Sequence, residues 1–275
     1  MREPSGIIFD TDHFAVHDGP GVRTAVYFKG CPLRCAWCHS PESQNKEPEL
    51  IHIKSNCRSC PECAMENCPR GAKKICGRAV SVSELSDELS RDKVFFDASG
   101  GGVTLTGGEA LFQPEFAAAL LEKLFAFGIH TVVETCAYCA TGDLLALSPF
   151  TGIFYCDVKL IDDKKHKKHT GLGNGLILSN IASLAEKRER RGVVLRVPLI
   201  PGYTDSAEDV KKIYDFAMET GLTEIHLLPY NASAPAKYEW LSRSFPPGEL
   251  GPREISYYGA LAASAPEKLN VTIIN

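Results

Sequence analysis

Ala25-Val-Tyr-Phe-Lys-Gly-Cys31-Pro-Leu-Arg-Cys35-Ala-Trp-Cys38 is the stretch on which the fold turns. Ala25 to Phe28 reads as a buried strand. The cysteines that follow, spaced C-x3-C-x2-C, lie on the loop leaving it. Three thiolates this close can wrap one corner of a cubane iron–sulfur cluster. A fully ligated 4Fe–4S cluster takes four ligands, so three cysteines leave one iron open. A catalytic zinc keeps one position open for substrate in the same way. The competing reading is structural zinc, which favours C-x2-C pairs with a second pair further on.

Outward from this loop, strands alternate with helices. The pattern predicts strands over Val103 to Thr106, Thr131 to Glu134, Ile153 to Asp157, Val193 to Leu199 and Glu224 to Leu228. It predicts helices over Pro114 to Phe127, Leu176 to Arg191 and Ala207 to Thr220, stopped by Gly128, Gly192 and Gly221. Such alternation implies parallel pairing with right-handed crossovers. With Ala25 to Phe28 there are six strand–helix units, which suit an α/β barrel, closed or partly closed, better than a small open sheet. Asn270 to Ile274 is placed as a late edge strand.

Residues 41–80 break the rhythm with Pro41, Pro48, Pro61, Pro69 and five cysteines. This span is read as an insertion folded around metal rather than around a core. Its run Cys57-x2-Cys60-x2-Cys63-x4-Cys68-Pro69 is the bacterial ferredoxin pattern lengthened by one residue. One auxiliary 4Fe–4S cluster is expected on Cys57, Cys60 and Cys63, with either Cys68 or Cys76 as fourth ligand. A zinc ribbon is the alternative. Helical pattern resumes at Ser81, which caps Val82 to Ser90 with Glu84 as capping-box partner.

The totals exclude several classes. The chain has 275 residues, enough for one large domain, here 1–275, and a sizeable core. Its 30 Lys+Arg against 34 Asp+Glu give a net charge of -4, so no nucleic-acid partner is expected. No apolar run reaches about 18 residues, so no membrane span is expected. Met1 to Asp10 lacks a signal-peptide pattern. Eleven cysteines, an odd number, argue for thiolates holding metal in a cytoplasmic protein rather than a secreted disulfide framework. Cys136, Cys139 and Cys156 are taken as core or near-site bystanders. His166 and His169, within a lysine-rich run, are read as part of a solvated basic patch.

C-x3-C-x2-C with an aromatic before its last cysteine resembles the signature of the radical S-adenosylmethionine (SAM) superfamily. Asp18-Gly-Pro-Gly-Val-Arg23 resembles the D-G-P-G-I/V-R segment of its glycyl-radical-enzyme activating enzymes. Ser99-Gly-Gly-Gly-Val-Thr-Leu-Thr-Gly-Gly-Glu109, Asp157-Val158-Lys159, Arg196 with Ile200-Pro-Gly-Tyr203, and Leu228-Pro-Tyr230 resemble further segments of that family, in the same order. The resemblance spans nearly the whole chain. It is similar to the pyruvate formate-lyase activating type, with a ferredoxin-like insertion that type lacks.

The resemblance implies a partial (β/α)6 TIM-like barrel with its site at the C-terminal mouth of the strands. Cys31, Cys35 and Cys38 would hold a 4Fe–4S cluster whose open iron binds SAM. Reductive cleavage would give a 5′-deoxyadenosyl radical that abstracts hydrogen from a backbone glycine of a partner glycyl radical enzyme. Gly107, Gly108 and Glu109 would lie against the methionine amino group; glycines there let backbone approach a ligand closely. Lys159 would pair with the methionine carboxylate. Asp157 would face the ribose, or a monovalent cation near Glu134 and Asp157, and Glu134 and Val158 are counted among the cofactor contacts. Trp37 and His39 would touch the adenine, with packing as the rival role for Trp37. Arg196 and Asn231 complete the cofactor contacts, and Asp18, Gly19, Pro20 and Gly21 would meet the partner's glycine loop. Flavodoxin or ferredoxin would supply the electron. Glu134-Thr-Cys136-Ala137 replaces the usual D-T-N/C-G, and Asn231 stands where many activases carry His. Two alternatives stay open: a radical SAM enzyme acting on a small molecule, and a non-catalytic iron–sulfur carrier or scaffold.

Overall fold

A computed structural model describes residues 3–60, 63, 68–189 and 191–274. Pro61, counted above in the insertion, lies outside them. Strand β1 (Ser5–Ala15) turns back into β2 (Arg23–Phe28); β3 (Glu49–His52) and β4 (Lys73–Cys76) form a separate hairpin, and β5 (Arg78–Ser81) follows. Then come β6 (Gly102–Gly107), β7 (His130–Thr135), β8 (Ile153–Asp157), β9 (Val193–Leu199), β10 (Glu224–Pro229) and β11 (Asn270–Ile273). Among the described residues the main sheet runs β11-β10-β9-β8-β7-β6-β2-β1-β5. From β2 to β11 every pairing is parallel, while β1 joins β2 and β5 antiparallel. The six expected strands are therefore contiguous and in sequence order, and strands added at both edges leave the barrel unclosed.

Helices α1 (Val82–Ser90), α2 (Lys93–Ser99), α3 (Pro114–Ala126), α4 (Thr141–Leu147), α5 (Asp163–Thr170), α6 (Gly175–Lys187), α7 (Ala207–Thr220), α8 (Ala234–Trp240) and α9 (Ile255–Ala263) fill the connections. The expected capping box at Ser81 and Glu84 is present. Side-chain alternation along the strands separates two faces. Val133, Phe154, Cys156, Leu195, Val197 and Leu227 pack outward against Leu120, Ile181 and Ile213 of the helices. The opposite face begins apolar, with Val132, Tyr155 and Val194 in a small cluster. Two residues on, it carries Glu134, Asp157 and Arg196. The apolar layer closes the base of the sheet's concave side, and the charged layer stands above it, toward the C-terminal ends of the strands.

Two parts of the insertion depart from expectation. The β3–β4 hairpin buries Ile51, Ala72 and Cys76, so this part has a small core. β5 leaves the insertion to pair with β1. Lys29, fully buried at the end of β2, ties insertion to barrel by donating to the Glu42 carbonyl (2.7 Å) and to Glu49 Oε1 (2.9 Å).

Candidate active site

The cysteine loop leaves the C-terminal end of β2 and is held from two sides. Gly30 N donates to Ser43 O (2.6 Å), while Arg34 N and Ala36 N donate to the carbonyls of Thr170 (2.7 Å) and His169 (2.9 Å). Those are the last carbonyls of α5, which have no partner within the helix. The lysine-rich run is thus a helix, and it seats the loop. Its histidines differ from the solvated reading. His166 is buried, with Nδ1 2.7 Å from Leu172 O. His169 lies edge-on to Tyr203 and faces Trp37.

Trp37 is 4% exposed and packs with Ile200 and Tyr230, so its present role is packing under the loop. His39 stands edge-on to Tyr230, with ring centroids 6.1 Å apart. Burial pushes the Cys35 and Cys38 thiols up to about 12 and about 11. A hydrogen bond with the Cys136 thiol lowers Cys31. Of the two places expected for it, core or near the site, Cys136 takes the second, behind a cysteine of the loop, and its thiol meets Cys31; the sequence signal was its place just beyond the Glu134-Thr135 strand end.

Lys159 faces these thiols. Its ammonium is 2.9 Å from Asp157 Oδ2. Burial opposes its charge, but Asp157 and then Cys35 hold it above its ordinary value. A buried cation beside the Cys31, Cys35 and Cys136 thiols favours anionic ligands at this place. That fits the donor set of an iron–sulfur cluster and the carboxylate of a bound amino acid. Among the described residues no three His, Cys, Asp or Glu side chains converge enough to hold a single metal ion. A cubane, which takes its ligands one to an iron at separate corners, does not require that convergence.

Below the thiols, Glu134 accepts from Thr106 Oγ1 (2.6 Å) and pairs with Arg196 Nη1. Burial raises the Glu134 and Asp18 carboxyls, with Arg196 the largest opposing influence on both. Arg196 lies over the Tyr155 ring at 5.1 Å. Its Nε and the Tyr230 hydroxyl are buried without a hydrogen-bond partner. Such groups are rare in folded proteins and suit a site that receives a polar ligand.

Several predicted contacts acquire a different physical reason. A Cβ on Gly107 (φ +104°) would lie 2.5 Å from Phe28 N, and one on Gly108 would lie 2.4 Å from Gly30 O. The close approach that demands glycine is therefore to the start of the cysteine loop itself. Glu109 is buried, and Leu111 N (3.1 Å), Thr135 Oγ1 (2.8 Å) and Cys136 N (2.7 Å) all donate to its carboxylate. Val158 turns its side chain into the helix-facing core. Asn231 is exposed and accepts from Ser233 N (2.9 Å), meeting His39 through its backbone.

Asp18 to Gly21 lies at the N-terminal end of β2, opposite the cysteine loop. Arg23, fully buried, fixes it by donating to Pro20 O (3.0 Å), Val103 O (2.7 Å) and Thr104 Oγ1 (2.7 Å). Thr104 Oγ1 in turn donates to Asp18 O (2.7 Å). In the insertion, Cys57, Cys60, Cys63 and Cys68 line one concavity. Backbone N–H groups of Arg70, Lys73 and Ala72 lower the Cys68 thiol, and Lys73 Nζ is 3.1 Å from Cys63 Sγ. Cys76 lies apart, buried in β4 opposite Glu49, with burial pushing its thiol up to about 11.

A loop of three cysteines above a charged layer, at the C-terminal ends of parallel strands, defines a class of cluster-bearing barrel enzymes. The family model of the radical SAM superfamily matches residues 26–217. The chain is 36% identical to the isethionate sulfite-lyase activating enzyme of Oleidesulfovibrio alaskensis, over 90% of this chain and 91% of that protein. It is 37% identical to the (2S)-3-sulfopropanediol sulfolyase activating enzyme of Bilophila wadsworthia, over 89% and 91%. A solved domain of a pyruvate-formate lyase-activating enzyme from Bacteroides vulgatus superposes with a TM-score of 0.53 at 25% identity, covering 63% of this chain and 99% of that one. The chain belongs to the radical SAM superfamily, among the activating enzymes of glycyl radical enzymes. Among the described residues no helix is long and apolar enough to cross a membrane.

Proposed function

We propose that this protein activates a glycyl radical enzyme by abstracting a hydrogen atom from one of its backbone glycines. The observation that carries the reading is the placement of Cys31, Cys35 and Cys38 on one loop, with Lys159 beside Cys31 and Cys35. When bound, a 4Fe–4S cluster with SAM on its open iron supplies the electron and the 5′-deoxyadenosyl radical for that abstraction. The chain's own residues hold and orient. Lys159 offers its ammonium to the methionine carboxylate. The Glu134–Arg196 pair and Asp157 offer polar contacts to the ribose, and Arg196 Nε and the Tyr230 hydroxyl are donors free to receive it. His39 borders the adenine, with Trp37 fixing the loop beneath. Gly107, Gly108 and Glu109 act by setting the course of the cysteine loop. Asp18 to Gly21 floors the lumen, so the partner's glycine loop would descend past the site to meet it. A monovalent cation near Glu134 and Asp157 would sit among the Glu134, Asp157 and Asp18 carboxylates, whose counter-charges are Arg196 and Lys159.

An auxiliary 4Fe–4S cluster belongs to the reading, with Cys57, Cys60, Cys63 and Cys68 as ligands. Their shared concavity and the three N–H donors at Cys68 support Cys68 over Cys76. The electron donor would be a flavodoxin or ferredoxin, and the compartment the cytoplasm.

The test is anaerobic. The protein is reconstituted with iron and sulfide, reduced, and examined by electron paramagnetic resonance with and without SAM. A cluster signal that shifts with SAM, followed by a glycyl radical doublet in an added glycyl radical enzyme, is expected. A signal blind to SAM would return the protein to the carrier or scaffold class. SAM cleavage driven by a metabolite, with no radical on any partner, would favour a small-molecule substrate.

A further inference from the structure

Helix α5 carries Lys164, Lys165, Lys167 and Lys168 within eight residues. His166 and Thr170 turn inward and are buried, which sends the lysines outward. Lys165 pairs with Asp209 at 3.0 Å. Lys164, Lys167 and Lys168 are exposed, and among the described residues none of them forms an ion pair. Lys164 stands three and four residues from the other two, a spacing at which like charges oppose the helix. The chain as a whole is net acidic, at -4, so this cluster is local.

Its position distinguishes it from an ordinary solvated face. The carbonyls of His169 and Thr170 accept directly from Ala36 N and Arg34 N of the cysteine loop. Arg34 adds an exposed guanidinium that donates to Leu33 O (2.8 Å) and to Cys31 O. The cationic surface and the loop that would hold the cluster are thus joined by short hydrogen bonds. A protein docked here would face the loop from outside, leaving the lumen free for substrate.

We propose that Lys164, Lys167 and Lys168 of α5, together with Arg34, form the docking surface for an acidic one-electron carrier protein. The inference rests on the proposed function. The step is a single electron transfer: the carrier is oxidised by one electron, the site is reduced by one, and no bond or proton changes hands. Long-range attraction between a cationic patch and an acidic partner raises the association rate and is weakened by salt.

The experiment compares anaerobic holoenzymes: wild type, Lys164→Glu/Lys167→Glu/Lys168→Glu, and a matched control. The control, Lys123→Glu/Lys187→Glu/Arg191→Glu, reverses three charges near the opposite ends of the strands. Stopped-flow absorbance follows reduction by reduced flavodoxin and, separately, by reduced ferredoxin, at low and high salt. SAM cleavage driven by photoreduced deazaflavin is followed in parallel. The α5 variant should be reduced at least tenfold more slowly at low salt by one carrier or both, with its salt dependence largely lost. Its deazaflavin-driven cleavage should match wild type. Unchanged rates with both carriers, or equal slowing in the control, would overturn the docking surface. So would loss of deazaflavin-driven cleavage or of glycyl radical enzyme binding in the α5 variant alone, since the patch would then serve the site or the substrate protein. Failure of wild type itself to cleave SAM with deazaflavin would instead refute the proposed function, and the inference with it.

Discussion

The Glu109 carboxylate takes the Cys136 N–H at 2.7 Å and so ties the end of β6 to the end of β7, directly behind the thiol that meets Cys31. Its partners, the Leu111 and Cys136 N–H groups, the Thr135 hydroxyl and the Cys136 thiol, all meet it as donors. An amide in the same place would turn an NH2 group against a donor. Glu109→Gln should therefore be destabilising despite its near-identical shape, by roughly 1–3 kcal/mol for an unmet buried donor. Urea unfolding of the cluster-free protein reads this as a lowered midpoint with unchanged slope. A variant as stable as wild type would mean that the carboxylate is not the tie described.

Lys159 sits between Asp157 and the thiols. Lys159→Met keeps most of the side-chain volume and removes the charge. SAM affinity should fall at least tenfold, about 1.4 kcal/mol, while the iron content stays at the wild-type value. Titration of the SAM-induced spectral change in reduced protein measures it. Affinity within twofold of wild type would remove Lys159 from the methionine carboxylate.

The sequence carried the parallel series well, and for a physical reason. β2 and β6 to β10 are buried on the helix-facing side, and their apolar runs end in glycines, prolines or charges where the chain turns. β8 and β9 fall on the expected residues. β1 escaped notice because its central Asp10-Thr-Asp-His13 faces solvent and breaks the apolar pattern. β5 is too short to announce itself. Helix α5 was hidden because its outward residues are lysines, and the inward turn of His166 appears only once the helix is formed. The cysteines, Lys159, Asp157 and Glu134 stand out in the sequence by their spacing and their positions at strand ends, and the structure brings Lys159, Asp157, Cys35 and Glu134 near one another. The unpartnered Tyr230 hydroxyl and the contact of Cys136 with Cys31 depend on tertiary approach, which no local pattern encodes.

Gly21 separates a folding role from a binding role. Its φ is +68°, and a Cβ there would lie 2.4 Å from Gly101 N and 2.6 Å from Ser99 O. The left-handed backbone alone costs an L-residue about 1–2 kcal/mol, and both atoms are backbone that cannot swing away. Gly21→Ala should lose more than about 2 kcal/mol of stability. A binding role alone would give a protein of wild-type stability that fails to activate its partner. Thermal and urea unfolding discriminate between these outcomes.

Glu84 gives a pH prediction. The Ser81 N–H and hydroxyl hold its carboxylate below the ordinary value of 4.5. The folded state then binds the proton less readily than the unfolded chain, so this contribution falls as pH falls. The stability gap between wild type and Glu84→Gln should be constant above about pH 5.5. It should shrink as pH drops through 4.5 toward the lower folded value. Urea midpoints of both proteins from pH 7 to pH 3.5 test this. A gap that persists unchanged at the acid end would mean that the charge of Glu84 adds nothing to the cap.

Cys68 and Cys76 both follow the Cys57–Cys63 run, and their surroundings predict opposite losses. Cys68 accepts backbone N–H groups beside the concavity of the other three cysteines. Cys76 is buried in β4, its thiol raised by desolvation and lying near Lys29 and Glu42. Cys68→Ser should lower the iron bound after reconstitution by about four per chain, the content of one cubane. The protein's unfolding midpoint before reconstitution should barely move, because the side chain is not in a packed core. Cys76→Ser should do the reverse: iron content stays, and stability falls by about 1–3 kcal/mol for a hydroxyl in an apolar setting. Iron analysis paired with urea unfolding decides between them. If Cys76→Ser loses the iron and Cys68→Ser keeps it, the fourth ligand comes from the hairpin, and the insertion must rearrange around its cluster to reach it.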